Sequence, residues 1–298
     1  MTSPSRGKTE SLQKEPALYS APRVSPDGSR LAVVVAEGSN TGIWVYNLRT
    51  GARTAVTSGP GGNSNPVWSP DGRYVVFQSP GGSIFWAPAD EAHAPQPLTK
   101  GPGRQYPTSF TSDGKLAFFE YAPDGGNLIQ TVQVRGGSGE PQAGEPELFL
   151  RTPSGNSFPA LSPNGRWLAY SSTDSGVYEV YVRAFPDKGK KWLISIRGGN
   201  MPMWSSNGKD LFYRTDDGRI MVASYTVSGD SFVPDTPRLW SDKRLANTGV
   251  TLNLDLAPDG KRFAVLMSAD NPEPRETRGH VTLMLNFFDE VRRLVPAK

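Results

Sequence analysis

The chain has no cysteine among its 298 residues and only two histidines, His93 and His280. The first absence excludes disulfides, thiolate nucleophiles and cysteine-ligated metals. It leaves the compartment open. The second leaves too little material for a histidine metal cluster or a histidine-dyad lyase, because the two residues fall in different, distant repeats of the chain. No apolar run approaches the length of a membrane-crossing helix, and residues 1–16 have no apolar core of the kind a secretory signal needs. Membrane insertion by this chain is therefore not expected. Lysine and arginine are scattered singly under a net charge of +3, so nothing points to nucleic acid. Also missing are the G-x-S-x-G elbow of serine hydrolases, a glycine-rich nucleotide loop and an EF-hand loop.

What the chain does contain is turns. It has 32 glycines and 27 prolines, with an apolar content of 36% and a charged content of 20%, the balance of a folded globular domain. One phrase is written six times: VSPDGSRLAVVV, WSPDGRYVVFQS, TSDGKLAFFEY, LSPNGRWLAYSS, WSSNGKDLFYRT and LAPDGKRFAVLM. Its glycines are Gly28, Gly72, Gly114, Gly165, Gly208 and Gly260, spaced by 44, 42, 51, 43 and 52 residues. A period in the low forties with strand-like flanks is that of a four-stranded propeller blade.

The phrase has a mechanism. Proline presets the first central position of a type I turn, serine caps its start, and glycine comes next in the left-handed region at no steric cost. The carboxylates Asp27, Asp71, Asp113 and Asp259 then read as turn residues. Asn164 and Asn207 replace the carboxylate in two units. A turn tolerates that exchange; carboxylate catalysis does not.

Each unit parses into strand, turn, strand, short loop, strand and a weaker fourth strand, as in SNPVW, RYVVFQS, SIFWAP and PQPLT. Six units predict an all-β, six-bladed β-propeller of four-stranded antiparallel blades over residues 19–298. The seven tryptophans fall mostly within these strands and read as packing between blades. The sixth unit ends in FFDEVRRLVP, which reads as a short C-terminal helix or as a fourth strand through VRRLV. Residues 1–18 read as a flexible leader or as a ring-closing strand for the last blade.

The phrase P-x-W-S-P-D-G-R-x-x-x-F resembles the WD40-like repeat of TolB-type six-bladed propellers. YEVYVRAFPDKGKKWLISIRGGNMPMWSSNGKDLFYR and the ending HVTLMLNFFDEVRRLVP resemble the propeller at the C-terminus of acidobacterial serine/threonine kinases. The resemblance implies a bacterial sensor or interaction module placed outside the cytoplasmic membrane and linked to signalling. TolB propellers bind peptide segments of partner proteins at the channel mouth. The chain carries no kinase motifs, so kinase activity does not transfer.

A ligand is expected at the end of the channel formed by the loops entering each first strand. Those loops carry Asn65, Arg104, Tyr106 and Arg151, then Phe158, Arg197, Asn200, Met201 and Asn253. The loops farther out are acidic, with Asp124, Asp174, Asp216, Asp217, Asp270 and Glu273. A positive centre with apolar patches suits a peptide carboxylate or another small anion. The expected function is non-catalytic recognition of a peptide, protein or small anionic ligand, with no cofactor. Two alternatives remain. One is a calcium-dependent channel hydrolase of lactonase or phosphotriesterase type, using Asn65, Asn253 and Asp255. The other is a glycan-active propeller, although no paired carboxylates are identifiable for it.

Overall fold

The computed structural model describes residues 9–11, 18–38, 40–57, 61–91, 93–136, 139–187, 189–249, 251–268 and 279–285. Among them there is no helix. They form six antiparallel sheets of a β-propeller. Sheet one runs Leu18–Val24, Arg30–Glu37, Asn40–Asn47 and Arg53–Ala55. Sheet two comes next with Ser64–Trp68, Tyr74–Gln78, Ile84–Pro88 and Gln96–Pro97. Sheets three, four and five begin at Arg104–Phe110, Asn156–Leu161 and Asn200–Trp204 and repeat the order. The sixth takes Leu254–Leu256, Arg262–Ser268 and Gly279–Leu285. Its outer strand comes from the other end of the chain: Thr9 pairs with Met284 and Ser11 with Thr282. The expected helix or strand in FFDEVRRLVP lies outside the described residues.

The repeated phrase makes one turn six times. The amide of each turn glycine donates to the carbonyl three residues back, at 2.8 Å for Gly28 to Ser25 and up to 3.0 Å for Gly114 to Thr111. All six glycines have φ between 62° and 87°, where a side chain would be strained. The Ser69 hydroxyl donates to Asp71 at 2.6 Å, and Ser162 and Ser205 donate to Asn164 and Asn207 at 2.8 and 2.7 Å. Carboxylate and amide do the same work, so these residues are turn formers.

The second strand of each sheet is buried on both faces, which explains its continuous apolar run. Its side chains fill the space between sheets. Trp167, 1% exposed, meets Trp192 and Phe232 edge-on at 5.5 and 5.2 Å. First strand touches first strand from sheets one to five and from six back to one. Sheets five and six meet through Phe212 and Trp240 on Phe263. The first strands therefore face a central channel.

Hydrogen bonds from the hydroxyls of Ser25 and Ser29 hold the Asp27 carboxyl at about 2, below its ordinary 3.8. Arg219 and Thr215 do the same for Asp217. A depressed carboxylate contributes stability above the unfolded value and loses it as pH falls through the folded one. Asp27→Asn should leave the fold intact at pH 7, with a slightly lower urea midpoint than the wild type. That gap should close between pH 4 and pH 2. A gap that persists at pH 2 would show that the charge plays no part.

Candidate functional site

Five first strands share an X-Pro pair: Ala21-Pro22, Asn65-Pro66, Tyr106-Pro107, Phe158-Pro159 and Met201-Pro202. The first strand is the inner edge of its sheet, so a proline there removes no ladder hydrogen bond. In four of the pairs the first residue has positive φ: Ala21 49°, Asn65 52°, Phe158 52° and Met201 55°. The strand pairing shifts register beside each of them. These bulges turn the strand against its sheet and set the residues after them toward the channel. A non-glycine residue held there costs about 1–3 kcal/mol.

A cavity of about 640 Å³ occupies the channel and opens at the end of the repeated turns, between Pro26, Pro70, Pro163 and Pro258. Its walls include Trp68, Phe158, Met201, Met203 and Trp204. Among the described residues only two charged ones line it, Arg23 and Asp255. A second cavity of about 460 Å³ adjoins it between sheets two and three, with Pro70, Phe110 and Ser112 lining both.

Arg23 ties four sheets together. Its Nε donates to Pro66 O at 3.2 Å in sheet two and its Nη2 to Thr108 O at 2.7 Å in sheet three. Its Nη1 meets Asp255 Oδ1 in sheet six at 3.2 Å. The Trp68 indole donates to Arg23 O at 2.9 Å. Asp255 Oδ2 in turn accepts from the Val24 amide at 2.8 Å. Burial pushes the Asp255 carboxyl up, and the Arg23 charge opposes that shift without cancelling it. Arg23 and Asp255 occupy the same place in the first and last repeats, five residues before Gly28 and Gly260. That was the signal available in the sequence, and it becomes legible only when the first and last repeats are placed side by side.

The residues expected at the site are distributed. Phe158 and Met201 line the cavity. Tyr106 stacks on Phe119 at 4.7 Å, and Phe119 touches Phe158 at 5.6 Å. Asn65 Nδ2 donates to Ser64 Oγ at 3.2 Å. Asn200 and Asn253 are buried: Asn200 Oδ1 accepts from the Met201 amide, and Asn253 Nδ2 donates to Ala246 O. Arg104 and Arg197 are exposed. Arg151 pairs with Asp124, and the acidic outer loops are further neutralised by Asp174 with Lys191 and Asp217 with Arg219. Asp270 and Glu273 lie outside the described residues, as does the side chain of His280. His93 sits on the surface beside Glu91. Asn65, Asn253 and Asp255 each have other partners. Among the described residues no three acidic or histidine side chains gather as a metal site.

Sequence reasoning also passed over Arg214, at the channel end away from the turns. It is 9% exposed, and among the described residues its Nη1 has no partner. Burial lowers its pKa, with the Asp216 charge opposing.

Breaking a buried ion pair strands the survivor, at about 3–5 kcal/mol. Asp255→Leu alone should lose stability of that order. Arg23→Met with Asp255→Leu should recover most of it, because the apolar pair leaves no uncompensated charge. Urea unfolding of the four-member cycle checks this; additive losses would show that the two residues do not act as a pair.

Comparison with known proteins agrees with the propeller fold. Residues 6–222 match the family described as TolB beta propeller domain. A 172-residue stretch is 30% identical to an uncharacterized peptidase of Bacillus subtilis, covering 54% of this chain and 24% of that protein. A 127-residue stretch is 31% identical to the Tol-Pal system protein TolB of Bordetella pertussis, covering 42% of this chain and 28% of that protein. The chain thus spans about a quarter of the length of these curated relatives. The solved structure of regucalcin, a calcium-binding protein of Agrobacterium tumefaciens, superposes with a TM-score of 0.62 over 94% of each chain at 12% identity, a likeness of fold alone. With well over half its length matched, the chain belongs to the TolB beta-propeller domain family.

Proposed function

We propose that the chain is a non-catalytic recognition module that takes an extended segment of a partner protein into its channel from the turn end. The observation that carries this reading is the pair of adjoining cavities, about 640 and 460 Å³, with Pro70, Phe110 and Ser112 lining both. Its lining is rich in tryptophan, methionine and proline. Tryptophan is the side chain most often found at binding hot spots, and methionine adapts its shape to what it meets. Proline offers no backbone donor to be left unpaired. Among the described residues the channel cavity's two charges pair with each other, so most of the lining left for a ligand is apolar.

The same observation weighs against the calcium-hydrolase alternative. A calcium ion needs several oxygen ligands. Asp255, the one carboxylate in the channel cavity, is held by Arg23 and the Val24 amide. The fold and the resemblance to kinase-linked propellers support a place outside the cytoplasmic membrane. Among the described residues no helix is long and apolar enough to cross a membrane.

A displayed library of random dodecapeptides tests the reading. Ser112 is exposed and lines both cavities, so Ser112→Trp narrows both without disturbing the core. Selected peptides should bind the wild type and lose at least tenfold in affinity for the variant. Peptides that bind both equally would place recognition elsewhere on the molecule.

A further inference from the structure

Most of the channel cavity's lining is apolar, and its wall carries one guanidinium among the described residues. Arg23 has five N–H groups. Three are directed at Pro66 O, Thr108 O and Asp255, and among the described residues the other two have no partner. The backbone partners fix the fork in the cavity wall, so its charge is held in place for an anion without further ordering. Asp255 differs from the carbonyls in being able to give up its charge. Its side chain is 13% exposed, burial raises its pKa, and among the described residues no other titratable side chain lines the cavity. The two backbone carbonyls would continue to hold Arg23 after Asp255 became neutral.

An anion approaching Arg23 meets the Asp255 charge at close range. Two carboxylates on one guanidinium repel each other, and the simplest relief is for one to take up a proton. The Asp255 carboxylate is the one for which this costs least. A purely polar anion would gain nothing from the remaining walls of Trp68, Phe158, Met201 and Trp204, whereas an apolar body would fill them. A cavity of about 640 Å³ lies within the range of small-molecule sites.

Resting on the channel-binding reading of the two cavities, we propose that the channel cavity is a site for a carboxylate carried on an apolar body. Arg23 receives the carboxylate, the apolar body lies against Trp68, Phe158, Met201 and Trp204, and Asp255 takes a proton from solvent as the ligand enters. A peptide C-terminus with an apolar last residue and a free amphipathic acid both carry this chemistry.

Calorimetric titration with N-acetyl-tryptophan and with octanoate, from pH 7.5 to pH 5.5, tests the proposal and separates the two sources. N-acetyl-tryptophanamide and octanol serve as uncharged controls. At least one acid should bind, and its uncharged counterpart should bind at least tenfold more weakly. Affinity should rise as pH falls, approaching tenfold per pH unit if one proton is taken up. Asp255→Asn should tighten binding at pH 7.5 to at least the wild-type affinity at pH 5.5, up to about a hundredfold, and remove the pH dependence. The double variant Arg23→Met with Asp255→Leu keeps the apolar walls and should not distinguish acid from amide. Tighter binding of N-acetyl-tryptophan identifies a chain end; tighter binding of octanoate identifies a free acid. Equal binding of acids and uncharged controls to the wild type overturns the proposal, as does failure of both acids to bind or an Asp255→Asn variant that binds no more tightly. Blocked peptides that bind the cavities with Arg23 replaced would leave the recognition reading standing and remove this one.

Discussion

The structure depends on how the inner edge of each sheet is satisfied. A propeller gathers its first strands around an axis, and each presents an unpaired edge to the channel. This chain meets that constraint in two ways. Proline occupies the edge in five sheets, where a missing donor costs nothing. Arg23 then crosses from sheet one to carbonyls of sheets two and three and to Asp255 of sheet six. One guanidinium thus fixes four of the six first strands. The pair Thr9–Ser11 with Gly279–Leu285 makes a second tie between the two ends of the described chain, at the outer rim of sheet six.

The same arrangement produces the cavity. Bulges at Ala21, Asn65, Phe158 and Met201 are strained, and strain of this kind persists only where the surrounding structure enforces it. The two channel ends differ in kind. The turn end is apolar and open around Arg23 and Asp255. At the other end, the starts of the first strands and their partners carry buried polar atoms without hydrogen-bond partners among the described residues: Gln78 Nε2, Asn156 Oδ1, Ser157 Oγ, Arg214 Nη1 and Asn253 Oδ1. Each such group costs stability, and they cluster where four different sheets approach the axis.

The fold was legible in the sequence because a turn is a local event. Ser-Pro-Asp-Gly specifies its own hydrogen bonds within four residues, and its recurrence fixes the strand order around it. The exchange of Asp27 for Asn164 in equivalent turns even showed that the turn does not need the carboxylate. The site was less legible because a channel is a non-local object. Asn200 and Asn253 have the composition of ligand-binding residues, but the fold directs them into backbone hydrogen bonds. Arg23 and Asp255 are 232 residues apart and look unremarkable in their own repeats; only closure of the ring makes them a pair. Arg214 ends an ordinary second strand, and its burial depends on neighbours that the repeat pattern does not name.

Recognition in this channel requires the wall around Arg23 to be rigid and preformed. Native-state hydrogen exchange followed by NMR tests that requirement most directly, through the Val24 amide held by Asp255 and the Trp68 indole held by Arg23 O. In a preformed wall both protons exchange only through global unfolding, with the dependence on denaturant of the whole molecule. Exchange of either through a local opening, well below the global free energy, would contradict it.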